Sequence, residues 1–127
     1  MIAAFSGIKI HLCTQPTDMR RGFDRLSGMV TTLLEKDPLS GHLFVFRNRN
    51  RDKLKILYWD TDGLAIWYKR LEQGTFQFPT DGAKAKEDLQ AGVEITHSQL
   101  SLLLGGIDLA SARKRKRYAK EKSREVT

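Results

Sequence analysis

The chain has 127 residues, 40% of them hydrophobic and 29% charged, which suits one ordinary folded domain and excludes both wholesale disorder and two independent catalytic domains. Its apolar runs, such as residues 102–104, fall far short of the roughly 20 residues a membrane span needs, and residues 1–13 lack the basic and apolar regions of a secretory leader, so a cytoplasmic location without membrane contact is expected. Lys and Arg number 22 against 15 Asp and Glu, and the formal charge of +7 points to an anionic partner.

Ile8, Ile10 and Leu12 alternate with Lys9, His11 and Cys13, a period of two that predicts a half-buried first strand. His11 and Cys13 share a strand face with no orienting acid, so they read as a half-buried imidazole and a core thiol rather than a nucleophilic pair. One cysteine and three scattered histidines match no disulfide or zinc spacing, and no metal or other cofactor is expected. Residues 15–18 break the strand. Thr17 is the expected N-cap of a helix of about 17 residues over 19–35, with Met19, Phe23, Leu26, Val30 and Leu33 as its apolar stripe. Asp37 and Pro38, with Ser40 and Gly41, end it. At its start, free amides and the positive end of the helix dipole adjoin Arg20 and Arg21. Two readings are open there: a phosphate docks on Arg20 and Arg21, or Asp18 pairs with Arg21 and the turn only caps the helix.

Beyond His42 the pattern changes to short β-rich runs over 43–46, 53–59 and 64–71, which predict an antiparallel meander. Its reversals are residues 48–52 and 60–63, the second ending in Asp62-Gly63, where Asp-Gly favours positive φ angles. Arg47, Arg49, Arg51, Lys53 and Lys55 place a cation at every second position across the first hairpin, and extended backbone aims such side chains to one side. Pairing around Gly63 would bring Lys69 and Arg70 alongside. This ridge either tracks phosphates or is a solvated hairpin whose charges discourage edge aggregation. Phe44, Phe46, Tyr58, Trp59, Trp67 and Tyr68 interleave with it; core packing accounts for most of these rings, with Tyr58 and Trp67 the candidates for stacking on unpaired bases. Asp60, Asp62, Glu72 and Asp81 are the acids available for a magnesium-dependent nuclease, although the calcium-loop spacing from Asp60 fails at Leu71.

Phe76-Gln77-Phe78 predicts a short edge strand stopped by Pro79, residues 80–92 a loop or marginal helix, and residues 93–95 a last strand. Thr96 and Gln99 have capping-box spacing ahead of Leu100, Leu103 and Leu104, which predicts a second, short helix ended by Gly105-Gly106. Residues 113–127 then hold eight basic and two acidic groups, opening with Arg113, Lys114, Arg115, Lys116 and Arg117, whereas the preceding 112 residues hold fourteen basic and thirteen acidic ones. A nearly neutral body trailing a cationic arm suits a polyanion; a solubility tail is the alternative.

Taken together, residues 15–26, 41–49 and 53–60 with Gly63, the run Tyr68-Lys69-Arg70-Leu71-Glu72 with Gly74 and Phe76, and Ser98-Gln99-Leu100 with Leu103, Leu104, Gly106, Ile107 and Asp108 resemble one family. It is the small second-open-reading-frame protein, TnpB-type, of bacterial insertion elements of the insertion-sequence-66 kind. The resemblance covers roughly residues 5–110 and implies a transposition accessory protein, encoded beside a separate, larger transposase that carries the acidic catalytic triad. It supplies no catalytic residues to transfer. The fold expected is α+β, a mainly antiparallel sheet (meander) packed against one long helix, with a short second helix and a basic C-terminal tail: residues 1–112 form one domain and 113–127 a flexible arm. The expected role is non-enzymatic binding of DNA, of the transposase or of both, with a transposase adaptor that makes no DNA contact and a nuclease as the other readings.

Overall fold

A computed structural model describes residues 7–82 and 90–105. Five strands, β1 (Ile10–Cys13), β2 (Leu43–Arg47), β3 (Lys53–Asp60), β4 (Gly63–Arg70) and β5 (Gly92–Ile95), form one sheet in the order β4-β3-β2-β1-β5. The α+β class holds, and β2, β3 and β4 make the expected antiparallel meander. The sheet itself is mixed. β1 runs parallel to β2, with Ile10 opposite Leu43 and Leu12 opposite Val45, and β5 returns antiparallel on the other side of β1. A parallel pair needs a crossover, and the first helix, α1 (Phe23–Thr32), supplies it between β1 and β2.

Helix α1 has 10 residues rather than 17. Its N-cap is Gly22, without a side-chain cap, and Thr17 does not cap it. The reason is tertiary: the ammonium of Lys55 donates to the carbonyls of Met19 (2.7 Å) and Arg21 (2.8 Å), and the Thr17 N–H donates to the Arg47 carbonyl (2.9 Å). Thr17, Met19 and Arg21 thus each spend a backbone group on the sheet instead of on a first helical turn. At the other end Glu35 takes a left-handed φ of 55°, and the Lys36 N–H reaches back to the Val30 carbonyl (3.0 Å), closing the helix before Asp37 and Pro38.

Side chains alternate between two apolar layers. On the α1 face, Cys13, Phe44, Phe46 and Leu57 pack against Leu26, Val30 and Leu34, each large apolar side chain contributing about 1.5–3 kcal/mol on burial. Of the predicted stripe, Leu26 and Val30 are core, while Phe23 is half exposed. On the opposite face, Ile10, Leu12, Val45, Leu54 and Ile56 meet Phe76, Phe78, and Leu100 and Leu103 of the second helix, α2 (His97–Gly105). Both faces of β1 are therefore covered and all four of its residues are buried, not half-buried. Phe76 and Phe78 do not extend the sheet; they lie in an irregular segment before a 3-10 turn at Pro79–Gly82 and act as core side chains. The capping box predicted for α2 forms in full: Thr96 N–H donates to Gln99 Oε1 (2.9 Å) and Gln99 N–H to Thr96 Oγ1 (3.1 Å).

Candidate nucleic-acid interface

The two reversals that follow β2 and β3 are built differently. Between β3 and β4, Thr61 and Asp62 form a two-residue turn in which Thr61, not Gly63, takes the positive φ of 56°. Between β2 and β3, Asn48 organises residues 48–52: its side-chain oxygen accepts from the Lys53 N–H (2.9 Å), its amide donates to Asp52 (2.7 Å), and Arg51 adopts φ 65°. That left-handed residue breaks the extended alternation on which a single-sided ridge depends.

As a result the five cations separate. Arg47 pairs across the strands with Leu54 and so faces α2, whereas Lys55 pairs with Phe46 and faces α1. Arg47 is buried, forks onto Asp81 (2.8 Å to each carboxylate oxygen), donates to the Phe76 carbonyl (2.9 Å) and lies 3.9 Å from the centre of the Phe78 ring. Burial alone would raise the Asp81 pKa, but the Arg47 hydrogen bonds, the Phe78 N–H and the charges of Arg47 and Arg51 together hold it below the usual carboxylate value. Arg51 leans to the same carboxylate at 3.6 Å and keeps much of its surface open. Lys55 is buried beneath the segment before α1. Neither Arg47 nor Lys55 presents its charge to solvent, which corrects the expected ridge.

What remains exposed on the α1 face converges on a cleft of about 720 Å³. Asp18, Arg20 and Arg21 come from the segment before α1, Asn48, Arg49 and Asn50 from the β2–β3 reversal, and Lys53 and Tyr68 from the sheet. Arg70 stands directly across from Lys53, as pairing around Gly63 predicts, and bonds Glu72 (2.9 Å). Lys69 pairs across from Leu54 and so projects from the other side, exposed. Asp18 forks onto Arg20, not Arg21, and the Arg20 side-chain bonds, followed by its N–H, hold the Asp18 carboxyl far below its ordinary value. The lining thus carries Arg20, Arg21, Arg49 and Lys53 against the single carboxylate of Asp18. Among the described residues neither Arg49 nor Lys53 has an acidic partner.

Tyr68 is the cleft residue that strand-by-strand reasoning misses when it favours Tyr58 and Trp67 for stacking. It is 49% exposed, with the Lys55 ammonium 4.7 Å from its ring centre, while Tyr58 and Trp67 pack partly against the core. The signal lies in period two: Leu64 and Ile66 sit under α1, so Tyr68 belongs to the same face. Residues 113–117 lie outside the described residues.

The four acids weighed as a metal site do not assemble. Asp81 is held by Arg47 and Glu72 by Arg70, while Asp60 and Asp62 sit at the far end of β3, about 20 Å along the strand from Leu54. Among the described residues no three of His, Cys, Asp and Glu come together to hold a metal ion. Cys13 is buried, which raises its thiol pKa, and His11 is stacked on Phe44 (5.5 Å between ring centres) with its pKa lowered, first by burial and then by the charge of Lys36.

Fold and cleft together define a small α+β domain with a mixed sheet and a basic, aromatic-bearing cleft at one end of it. The sequence places it further: residues 8–114 match the IS66 Orf2-like proteins, and the chain belongs to that family of transposition-associated accessory proteins of IS66 insertion elements. Two curated relatives, both uncharacterised proteins of Sinorhizobium fredii, are y4jC, 38% identical over 110 residues (85% of this chain, 86% of its own), and y4hO, 37% identical over 108 residues (85% and 88%). No solved structure matches significantly. No helix among the described residues is long and apolar enough to cross a membrane.

Proposed function

We propose that the protein is a non-catalytic accessory of IS66-type transposition that binds the element's DNA through charge. The cleft carries the reading, because four cations and one carboxylate converge there. Arg49 and Lys53, with Arg20 and Arg21 in the same cleft and Arg70 beside Lys53, contact phosphates and orient the domain, Arg51 and Lys69 extend the positive surface on the other side of the sheet, and Arg113, Lys114, Arg115, Lys116 and Arg117 add sequence-tolerant attraction. The test is a salt series of DNA binding by the full chain, by a chain ending at residue 112, and by a variant with Arg49 and Lys53 changed to Gln. Removing one phosphate partner flattens the log–log salt dependence by roughly 0.9 on duplex DNA. Identical isotherms for all three chains sink the proposal.

A second reading, an adaptor that holds the transposase without touching DNA, is favoured by two half-exposed apolar side chains flanking the crossover, Phe23 and Leu39. Co-purification with the transposase that survives nuclease treatment, together with its disappearance on Phe23→Ser plus Leu39→Ser, supports that reading.

A further inference from the structure

We infer that the cleft takes an unpaired stretch of nucleic acid, with one base stacked on Tyr68 and its flanking phosphates on Lys53 and Arg49. The inference rests on the nucleic-acid reading above and narrows it to a strand state and a contact residue.

Three observations carry it. Tyr68 is a half-exposed ring within a lining that is otherwise mainly polar and cationic, so the cleft joins a stacking surface to phosphate partners. The ring also has a cation held against it. Lys55 lies 4.7 Å from its centre and is itself anchored by the Met19 and Arg21 carbonyls, so the ring meets a base with a cation already placed beside it. The cleft's volume, about 720 Å³, lies within the roughly 300–1,000 Å³ range of small-ligand sites, and the cleft is open to solvent, so a base and its flanking phosphates can reach the lining together.

Duplex DNA fits these features poorly. A base inside a duplex is stacked on both faces and cannot lie on Tyr68, whereas every unpaired base has a free π-face. Nor does either helix offer a basic face for a major groove: the exposed residues of α1 include Arg25 beside Asp24 and those of α2 contain no Lys or Arg.

The experiment measures binding of the full chain to a 20-nucleotide oligothymidine, to the corresponding oligouridine and to a 20-base-pair duplex at matched salt, for the native chain, Tyr68→Phe, Tyr68→Ala and Lys53→Gln. Single strands are expected to bind about 10-fold or more tighter than the duplex. Tyr68→Ala is expected to weaken single-strand binding roughly 5- to 150-fold with an unchanged salt slope, and Tyr68→Phe to retain it. Lys53→Gln is expected to reduce the slope by roughly 0.7 on single strands. The thymidine and uridine probes identify whether DNA or RNA is preferred, and tight binding of either supports the inference. Equal affinity for duplex and single strand, or Tyr68→Ala binding like the native chain, overturns the inference while leaving the parent reading intact; failure to bind any probe in dilute buffer overturns both.

Discussion

Arg47 and Lys55 stand within one residue of being opposite each other in the β2–β3 hairpin, yet they are buried on opposite faces of the sheet, each binding main-chain carbonyls of a different segment. Arg47 holds residues 76–81 against the α2 face and Lys55 holds residues 19–21 against the α1 face. Two charges from the most basic stretch of the body thus shape the cleft from behind, and Arg49 and Lys53 are left to face outward.

The Arg47–Asp81 pair is expected to behave as a buried ion pair, where removing one partner strands the other. Arg47→Met or Asp81→Leu alone should each lower unfolding stability in urea by about 3–5 kcal/mol, and the double variant should be destabilised by less than the sum of the two, by about 1 kcal/mol or more. Strict additivity would show that the two side chains act independently.

Lys55 and Lys53 separate structure from binding. Lys55→Met leaves the Met19 and Arg21 carbonyls without their donor, and should lower stability by about 1–3 kcal/mol. Lys53→Gln should stay within about 0.5 kcal/mol of the native chain in the same urea titration while weakening DNA binding. A Lys53→Gln chain as unstable as Lys55→Met would place Lys53 in the fold instead of the interface.

Local chemistry was legible in the sequence, and long-range chemistry was not. Thr96 and Gln99 cap α2 because the motif is complete within four residues, and the meander pairs as the period-two runs and the turn before Gly63 require. The start of α1 is not legible locally, because the groups that claim its expected first turn, Lys55 and Arg47, lie 36 and 30 residues away from their partners Met19 and Thr17. The parallel β1–β2 pair was written as strand, helix, strand, a crossover pattern overshadowed by the antiparallel signals that follow it. Alternation of cations did not survive the reversal because Arg51 turns the chain through a left-handed φ that an extended-strand count does not contain.

Glu35 ends α1 at φ 55°, a region where a side chain costs about 1 kcal/mol and glycine almost nothing. Its side chain is exposed and forms no ion pair with any of the described residues, so Glu35→Gly should raise unfolding stability by up to about 1 kcal/mol, offset in part by the added freedom of the unfolded chain. Thermal unfolding of the two chains side by side checks it, and a lower midpoint for Glu35→Gly would mean that Glu35 stabilises the helix end in a way that outweighs its backbone strain.

His11 gives the stability a pH dependence above the carboxylate range. It is 6% exposed, stacked on Phe44 and edge-on to His42, and its pKa lies below 6.5 because burial, and then the charges of Lys36, His42 and Lys9, oppose a cationic ring more than Glu94 favours one. Above pH 6.5 both folded and unfolded chains carry a neutral imidazole and the contribution is fully present. As pH falls through 6.5 the unfolded chain takes up a proton that the folded chain refuses, so stability falls until the folded-state pKa is passed. Urea titrations between about pH 7.5 and pH 5 should therefore show stability declining, by at most about 1.4 kcal/mol per pH unit from this one proton. His11→Phe keeps a ring against Phe44 and removes the proton site, and its stability should be flatter across the same window; a slope equal to the native chain's would show that His11 is not its source.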